Sequence, residues 1–187
     1  MIRKLVVVGI FLFSLLSSVS LFALDGIEIL SGYLEADLEQ KEDYEGFPLF
    51  VALSYDVRPA FEIIGLKTQG RIDFVLEPFI NTISSPDTNI EAGANLLLKY
   101  VCPVTERLQL YIKGGAGMLY MSQHTEEQGT QYNFLPQIGA GIHLFLTNGM
   151  ALSCEYRYRH LSNADIEKPN SGIDTEMILG GISFFFD

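Results

Sequence analysis

Apolar residues recur at every second position along most of this chain, and that period of two constrains the fold more than any other feature. In "GRIDFVLEPFI", Ile72, Phe74, Leu76 and Ile80 share one parity, while Arg71, Asp73 and Glu77 take the other. "NIEAGANLLLKY" sets Ile90, Ala92, Ala94, Leu96, Leu98 and Tyr100 against Glu91, Asn95 and Lys99. "LQLYIKGGAGMLY" opposes Leu108, Leu110, Ile112 and Met118 to Gln109 and Lys113. "ALSCEYRYRH" opposes Leu152, Cys154, Tyr156 and Tyr158 to Ser153, Glu155, Arg157 and Arg159. Successive side chains of a strand point to opposite faces, so each segment reads as a strand with one apolar and one polar side.

Eight such segments are predicted, at 27–38, 47–57, 70–80, 89–101, 108–122, 130–146, 149–161 and 173–186. Many have the nine or so residues that a tilted strand needs to cross a bilayer. A soluble sandwich also alternates, but here the apolar face recurs on all the segments and no polar edge strand is left over. The polar parity carries both signs of charge. Facing one another inside a small closed barrel, Arg157 and Arg159 can pair with Glu77, Glu91 or Glu155; facing lipid they could not. The glycines of "KGGAGM" and "QIGAGIH" suit tight curvature and a narrow bore. The pattern predicts an all-β protein, an eight-stranded antiparallel up-and-down transmembrane β-barrel. Tyr156 and Tyr158 fall on its outer face and read as interfacial belt residues.

The connections support this topology. Links after the first, third, fifth and seventh segments ("EQKEDYEG", "NTISSPDTN", "SQHTEEQGT", "LSNADIEKPNSGI") are long and polar, whereas "CPVTER" and "TNG" are short. Membrane barrels keep long loops outside and short turns in the periplasm. The second link, "DVRPAFEIIGLKTQ", is long for the periplasmic side and is expected to hold a short helix or a strand extension. The chain ends "ISFFFD", an aromatic strand followed by Asp187.

The start, "MIRKLVVVGIFLFSLLSSVSLFALDG", places Arg3 and Lys4 before a short apolar run and then small residues. It reads as a signal peptide over 1–23, with cleavage after Ser20 or Ala23, leaving 24–187 as the barrel domain. No later segment approaches the roughly 20 unbroken apolar residues of a spanning helix. Even so, 48% of the residues are hydrophobic alongside a formal charge of −11. Loss of Arg3 and Lys4 takes the 12 basic residues to 10 against 23 acidic, a net −13. Such a chain is a poor partner for nucleic acid, whose phosphates require Lys and Arg.

Cys102, expected in a turn, and Cys154, in a strand that does not neighbour it, are not expected to pair, although an exported chain permits a disulfide. His124, His143 and His160 stand apart from one another and from both cysteines, so no zinc site is read. No metal and no cofactor is expected.

One constellation carries chemistry. In "YRYRHLSNAD", His160 and Ser162 share a parity at the end of the seventh segment, and on a strand their Cα atoms lie ~6.8 Å apart. That spacing allows an imidazole to reach a neighbouring hydroxyl, the arrangement that activates a serine nucleophile. Parity points both outward. If 162–173 form the outer loop, the eighth segment brings Asp174 back beside His160 as the orienting carboxylate, with Glu176 one step deeper as the reserve.

The stretch "EYRYRHLSNADIEKPNSGID" resembles the signature of the PagL-type lipid A 3-O-deacylase family: a strand ending in H-x-S-N-A, then P-N-x-G-I and an acidic residue. "GRIDFVLEPFIN", "YIKGGAGMLYM" and "GTQYNFLPQIGAGIHLFL" are similar to the family in the same order, so the resemblance spans nearly all of 24–187. It implies an outer-membrane barrel with a serine esterase site on its lipid-facing wall, removing the 3-O-linked hydroxyacyl chain of lipid A. Position by position, it implies Ser162 as nucleophile, His160 as general base, Asn163 in an oxyanion or positioning role, and Asp174 as the acidic member. The family's characterised enzyme has glutamate there, and the shorter aspartate is expected to need a small backbone shift to reach the ring. The implied partner is lipid A, or lipopolysaccharide, in the outer leaflet of a Gram-negative outer membrane; a homodimer stays open. The other reading is a non-catalytic barrel, structural or surface-interacting, that keeps the signature; a soluble periplasmic lipid-binding barrel is a more distant third.

Overall fold

The computed structural model describes residues 23–36, 44–122 and 128–186. All of the predicted signal peptide except Ala23 lies outside the described residues, as do His124 and Asp187. The strands are β1 (Gly26–Ala36), β2 (Tyr44–Asp56), β3 (Arg71–Ser85), β4 (Asn89–Pro103), β5 (Leu108–Met121), β6 (Tyr132–Thr147), β7 (Met150–Leu161) and β8 (Ile173–Phe185). Each pairs antiparallel with the next, and β1 pairs with β8 from Gly26↔Phe185 to Glu35↔Glu176, closing the barrel. Closure satisfies every strand edge, which a sheet in hydrocarbon requires.

The β2–β3 link holds one short helix, α1 (Arg58–Ile63), with Pro59 in its first turn, where a missing N–H costs nothing. It therefore takes the helical form of the two expected. Several strands run further than the alternation suggested: β3 continues to Ser85 and β4 to Pro103. Cys102 is thus in a strand, opposite Leu110, rather than in a turn. It and Cys154 are free and exposed on the outer wall.

The wall follows the sequence parity. Leu96, Ile112, Ile138 and Ile178 face outward and are among the most exposed large apolar residues, while Glu77, Glu91, Lys99, Arg157 and Arg159 are almost wholly buried in the lumen. Those charges form a packed network. Arg157 grips Glu77 through both guanidinium nitrogens, at 2.6 and 3.0 Å, and Glu155 through Nε at 2.7 Å. Lys113 reaches the same two carboxylates at 3.0 and 2.8 Å. Arg159 pairs with Glu91 at 2.9 Å, and Lys99 with Glu28. Two cations against two carboxylates make the Arg157–Lys113–Glu77–Glu155 group neutral, which is what lets it sit in a low-dielectric interior.

The loop-side half of the lumen is richer in apolar residues, packed around the Arg159–Glu91 pair. Leu34, Tyr44, Ile83, Met121, Leu135, Leu161 and Ile173 form one buried cluster. These residues come from the ends of odd strands and the starts of even ones, so they sit beneath the rim that carries the β7–β8 loop. Buried side chains thus occupy the lumen in both its charged and its more apolar half.

Candidate active site

The β7–β8 loop joins its strands at the rim remote from α1. His160 falls on the outward parity of β7, and its register partner is Asp174. The His160 Nδ1 and Asp174 Oδ1 atoms are 2.6 Å apart. Because the two residues are direct cross-strand partners, the carboxylate reaches the ring without a longer side chain. A carboxylate at Nδ1 favours the tautomer with the proton there, leaving Nε2 as an acceptor. Asp174 is also hydrogen-bonded by Tyr158, and Glu176 by Tyr156. Glu176, the reserve carboxylate, is therefore engaged elsewhere.

Ser162 is half-buried on the same face as His160, with Leu161 and Asn163 buried on either side of it. Its peptide is fixed by β6: the Phe134 N–H donates to the Ser162 carbonyl at 2.7 Å, and the Ser162 N–H to the Phe134 carbonyl at 3.1 Å. The ladder register, Gln137↔Arg159 before and Phe134↔Ser162 after, sets Pro136 opposite His160. Proline has no N–H to give, so the ladder opens beside the imidazole and closes again at the serine. The Ser162 hydroxyl makes no hydrogen bond among the described residues.

Asn163 points the other way and is fully buried. Its amide donates to the carbonyls of Glu167 (2.8 Å) and Pro169 (3.3 Å), and its backbone N–H donates to Asn170 Oδ1 (2.8 Å). These bonds cinch the loop and use up the donors of Asn163. Ala164 and Asp165 follow in left-handed conformations, φ 54° and 62°. Lys168 bonds Asp165 at 2.6 Å and holds its carboxyl below the ordinary range. Gly172, with φ +85°, ends the loop against the imidazole: a β-carbon there would lie 2.5 Å from His160 Cε1 and 3.1 Å from Nε2.

A second serine–histidine pair exists in the lumen. His143 Nδ1 is 2.8 Å from Ser153 Oγ, which contacts Ser183 Oγ at 2.5 Å. Its ring stacks on Tyr111, with centroids 4.5 Å apart, and His143 is 0% exposed. No substrate can reach it, so it is core. Among the described residues, no group of His, Cys, Asp and Glu is arranged to hold a metal.

Two contributors escaped the sequence reading. Tyr158 was expected as a belt residue, with the lining of an acyl groove as the other reading; it sits two positions before His160 on the same face and reaches Asp174. Gly172 was read only as part of a motif. The parity signal for Tyr158 was available; the contact of Gly172 with the ring depends on how the loop returns.

A closed, edge-free antiparallel barrel with an apolar outer wall and a salt-bridged core is an integral membrane barrel of the outer-membrane type. The chain belongs to the lipid A 3-O-deacylase (PagL) family, whose model matches residues 50–183. Among solved structures, that of the outer membrane enzyme PagL is similar with a TM-score of 0.63 at 17% identity, over 86% of this chain and 99% of that one. Neisserial surface protein A (NspA) is similar with a TM-score of 0.61 at 13% identity, over 86% of this chain and 96% of that one. No curated protein sequence matches. The two structural likenesses are nearly equal, so the barrel alone does not separate an enzyme from a surface protein.

Proposed function

We propose that this protein is an outer-membrane serine esterase that removes the 3-O-linked hydroxyacyl chain of lipid A, with Ser162 as nucleophile, His160 as general base and Asp174 as the carboxylate that orients it. The observation that carries this reading is the 2.6 Å contact between His160 Nδ1 and Asp174 Oδ1 on the outer wall, with Ser162 next along the same face. An exposed His–Asp pair on a lipid-facing surface is costly without a purpose. The acyl ester of an outer-leaflet glycolipid lies at the depth of this rim.

In this mechanism the Ser162 oxygen attacks the ester carbonyl as His160 Nε2 takes its proton. Asp174, already at Nδ1, stabilises the imidazolium that forms. The backbone N–H groups of Ala164 and Asp165 make no hydrogen bond among the described residues, and in their left-handed turn they are the donors available to the oxyanion. Asn163 acts in the positioning role by fixing that turn. The imidazolium returns its proton to the sugar oxygen as the acyl C–O bond breaks, and the sugar leaves with a free hydroxyl; water, activated by His160, then releases the hydroxy fatty acid from Ser162. We further infer export through a signal peptide cut after Ser20 or Ala23; β1 starts just beyond, at Gly26.

The test is expression of the wild type and Ser162→Ala in a host with hexa-acylated lipid A, followed by mass spectrometry of the lipid. The expected result is loss of one 3-hydroxyacyl chain with the wild type only. Identical spectra from two folded, membrane-inserted proteins would remove the esterase and leave a non-catalytic barrel.

A further inference from the structure

The β2–β3 link carries an exposed apolar run that neither the barrel nor the proposed reaction uses. Ile63, Ile64 and Leu66 are 84, 70 and 53% exposed. They belong to α1 and the turn that closes it, where the Gly65 N–H donates to the Glu62 carbonyl and the Leu66 N–H to the Phe61 carbonyl, both at 3.0 Å. The turn is well formed, with Gly65 at φ +85°. Large aliphatic side chains this exposed on an ordered turn mark a contact surface.

Two further features identify what covers it. Phe61 of α1 lines one groove with the outward-facing Ile72, Leu98, Tyr100, Ile112 and Ile138, over the dent left by Gly114. The apolar face of the link is thus continuous with the lipid-facing wall of the barrel. The groove holds about 360 Å³, near the small end of ligand pockets and room for part of one acyl chain. The exposed Lys67 follows the run directly, while Arg58 before it is paired with Asp56 at 3.3 Å; apolar side chains with a cation beside them settle at a phospholipid headgroup boundary. Up-and-down connectivity puts this link at the rim opposite the β7–β8 loop.

We infer that the 58–67 segment is a membrane-interface anchor: it lies in the periplasmic leaflet, with Ile63, Ile64 and Leu66 among the phospholipid chains and one acyl chain seated between Phe61 and the barrel wall. This goes beyond the esterase reading and holds whether or not the protein is catalytic.

The experiment is spin labelling of the full chain in vesicles of phosphatidylethanolamine and phosphatidylglycerol. Cys102→Ala and Cys154→Ala clear the background, and single cysteines go at Ile64, at Leu96 on the wall and at Thr105 in the β4–β5 turn. Collision of each label with oxygen, which concentrates in lipid, is compared with collision with a water-soluble nickel chelate. The expected oxygen-to-nickel ratio at 64 matches that at 96 and is severalfold above that at 105. A ratio at 64 equal to that at 105 would overturn the anchor. Low collision with both reagents would mean that a second copy of the chain covers the segment, and would overturn it as well. A Phe61→Ala variant, which leaves the strands intact, is expected to lower the ratio at 64; an unchanged ratio would remove the seated chain.

Discussion

Gly172 lies against the imidazole of His160 so closely that a single added β-carbon would sit 2.5 Å from Cε1. Its φ of +85° is also one that L-residues resist. The first prediction is therefore that Gly172→Ala folds and inserts but turns the ring away from Ser162. A displacement on the order of 1 Å at a catalytic group costs about 100-fold in rate. Deacylation by the purified variant in mixed micelles checks this, with kcat falling and KM held.

The second prediction concerns Asp174. Asp174→Asn removes the charge and permits the wrong tautomer of His160, and a loss of about 10⁴ in kcat is expected by analogy with hydrolytic triads. Asp174→Glu keeps a carboxylate on the same cross-strand pair and should retain most of the activity. Equal loss in both would mean that shape rather than charge matters at this position.

Tyr158 offers a finer test. Its hydroxyl is the second partner of the Asp174 carboxylate. Tyr158→Phe keeps the belt ring and deletes one hydrogen bond to a charged group at an open, solvent-screened rim. A fall of about 3- to 10-fold in kcat is expected, larger than any change in KM.

The lumenal pair supplies a control. Ser153→Ala removes the hydroxyl bonded to His143, and because that site is sealed, the variant should deacylate at the wild-type rate. Loss of activity in folded Ser153→Ala would transfer the chemistry to the interior.

The fifth prediction is about stability. Glu77 accepts from Arg157, Lys113 and Asn95. Glu77→Ala leaves two buried cations sharing one carboxylate, Glu155, and breaking such a pair costs about 3–5 kcal/mol. Urea titration in detergent, followed by the shift between folded and unfolded bands in gels, should show an earlier midpoint while activity per folded molecule stays unchanged.

How much of this was legible in the sequence differs between the two ends of the barrel. Across the charged half, inward Glu77, Lys99 and Arg157 contrast sharply with outward Leu76, Leu98 and Tyr156, and period two alone gives strand and face. Toward the loop rim the lumen itself is more apolar, with Ile83, Met121 and Leu135 inside, and the contrast fades. That is why β3 was expected to stop near Ile80 although it runs on to Ser85. The cross-strand meeting of His160 and Asp174 could be read, because parity and one hairpin suffice to locate both. The inward side of Asn163 follows the same parity as Arg157 and Arg159, but its carbonyl partners and the wedge of Gly172 could not be read, since both depend on the path of an irregular loop rather than on any repeat.

The occupied lumen described above has a kinetic corollary. With apolar side chains under one rim and locked ion pairs below them, no lipid can thread this cylinder, so any lipid it meets must arrive sideways through the leaflet. Encounter then becomes a two-dimensional search. Its pace is set by the mole fraction and fluidity of the surrounding glycolipid rather than by any bulk concentration.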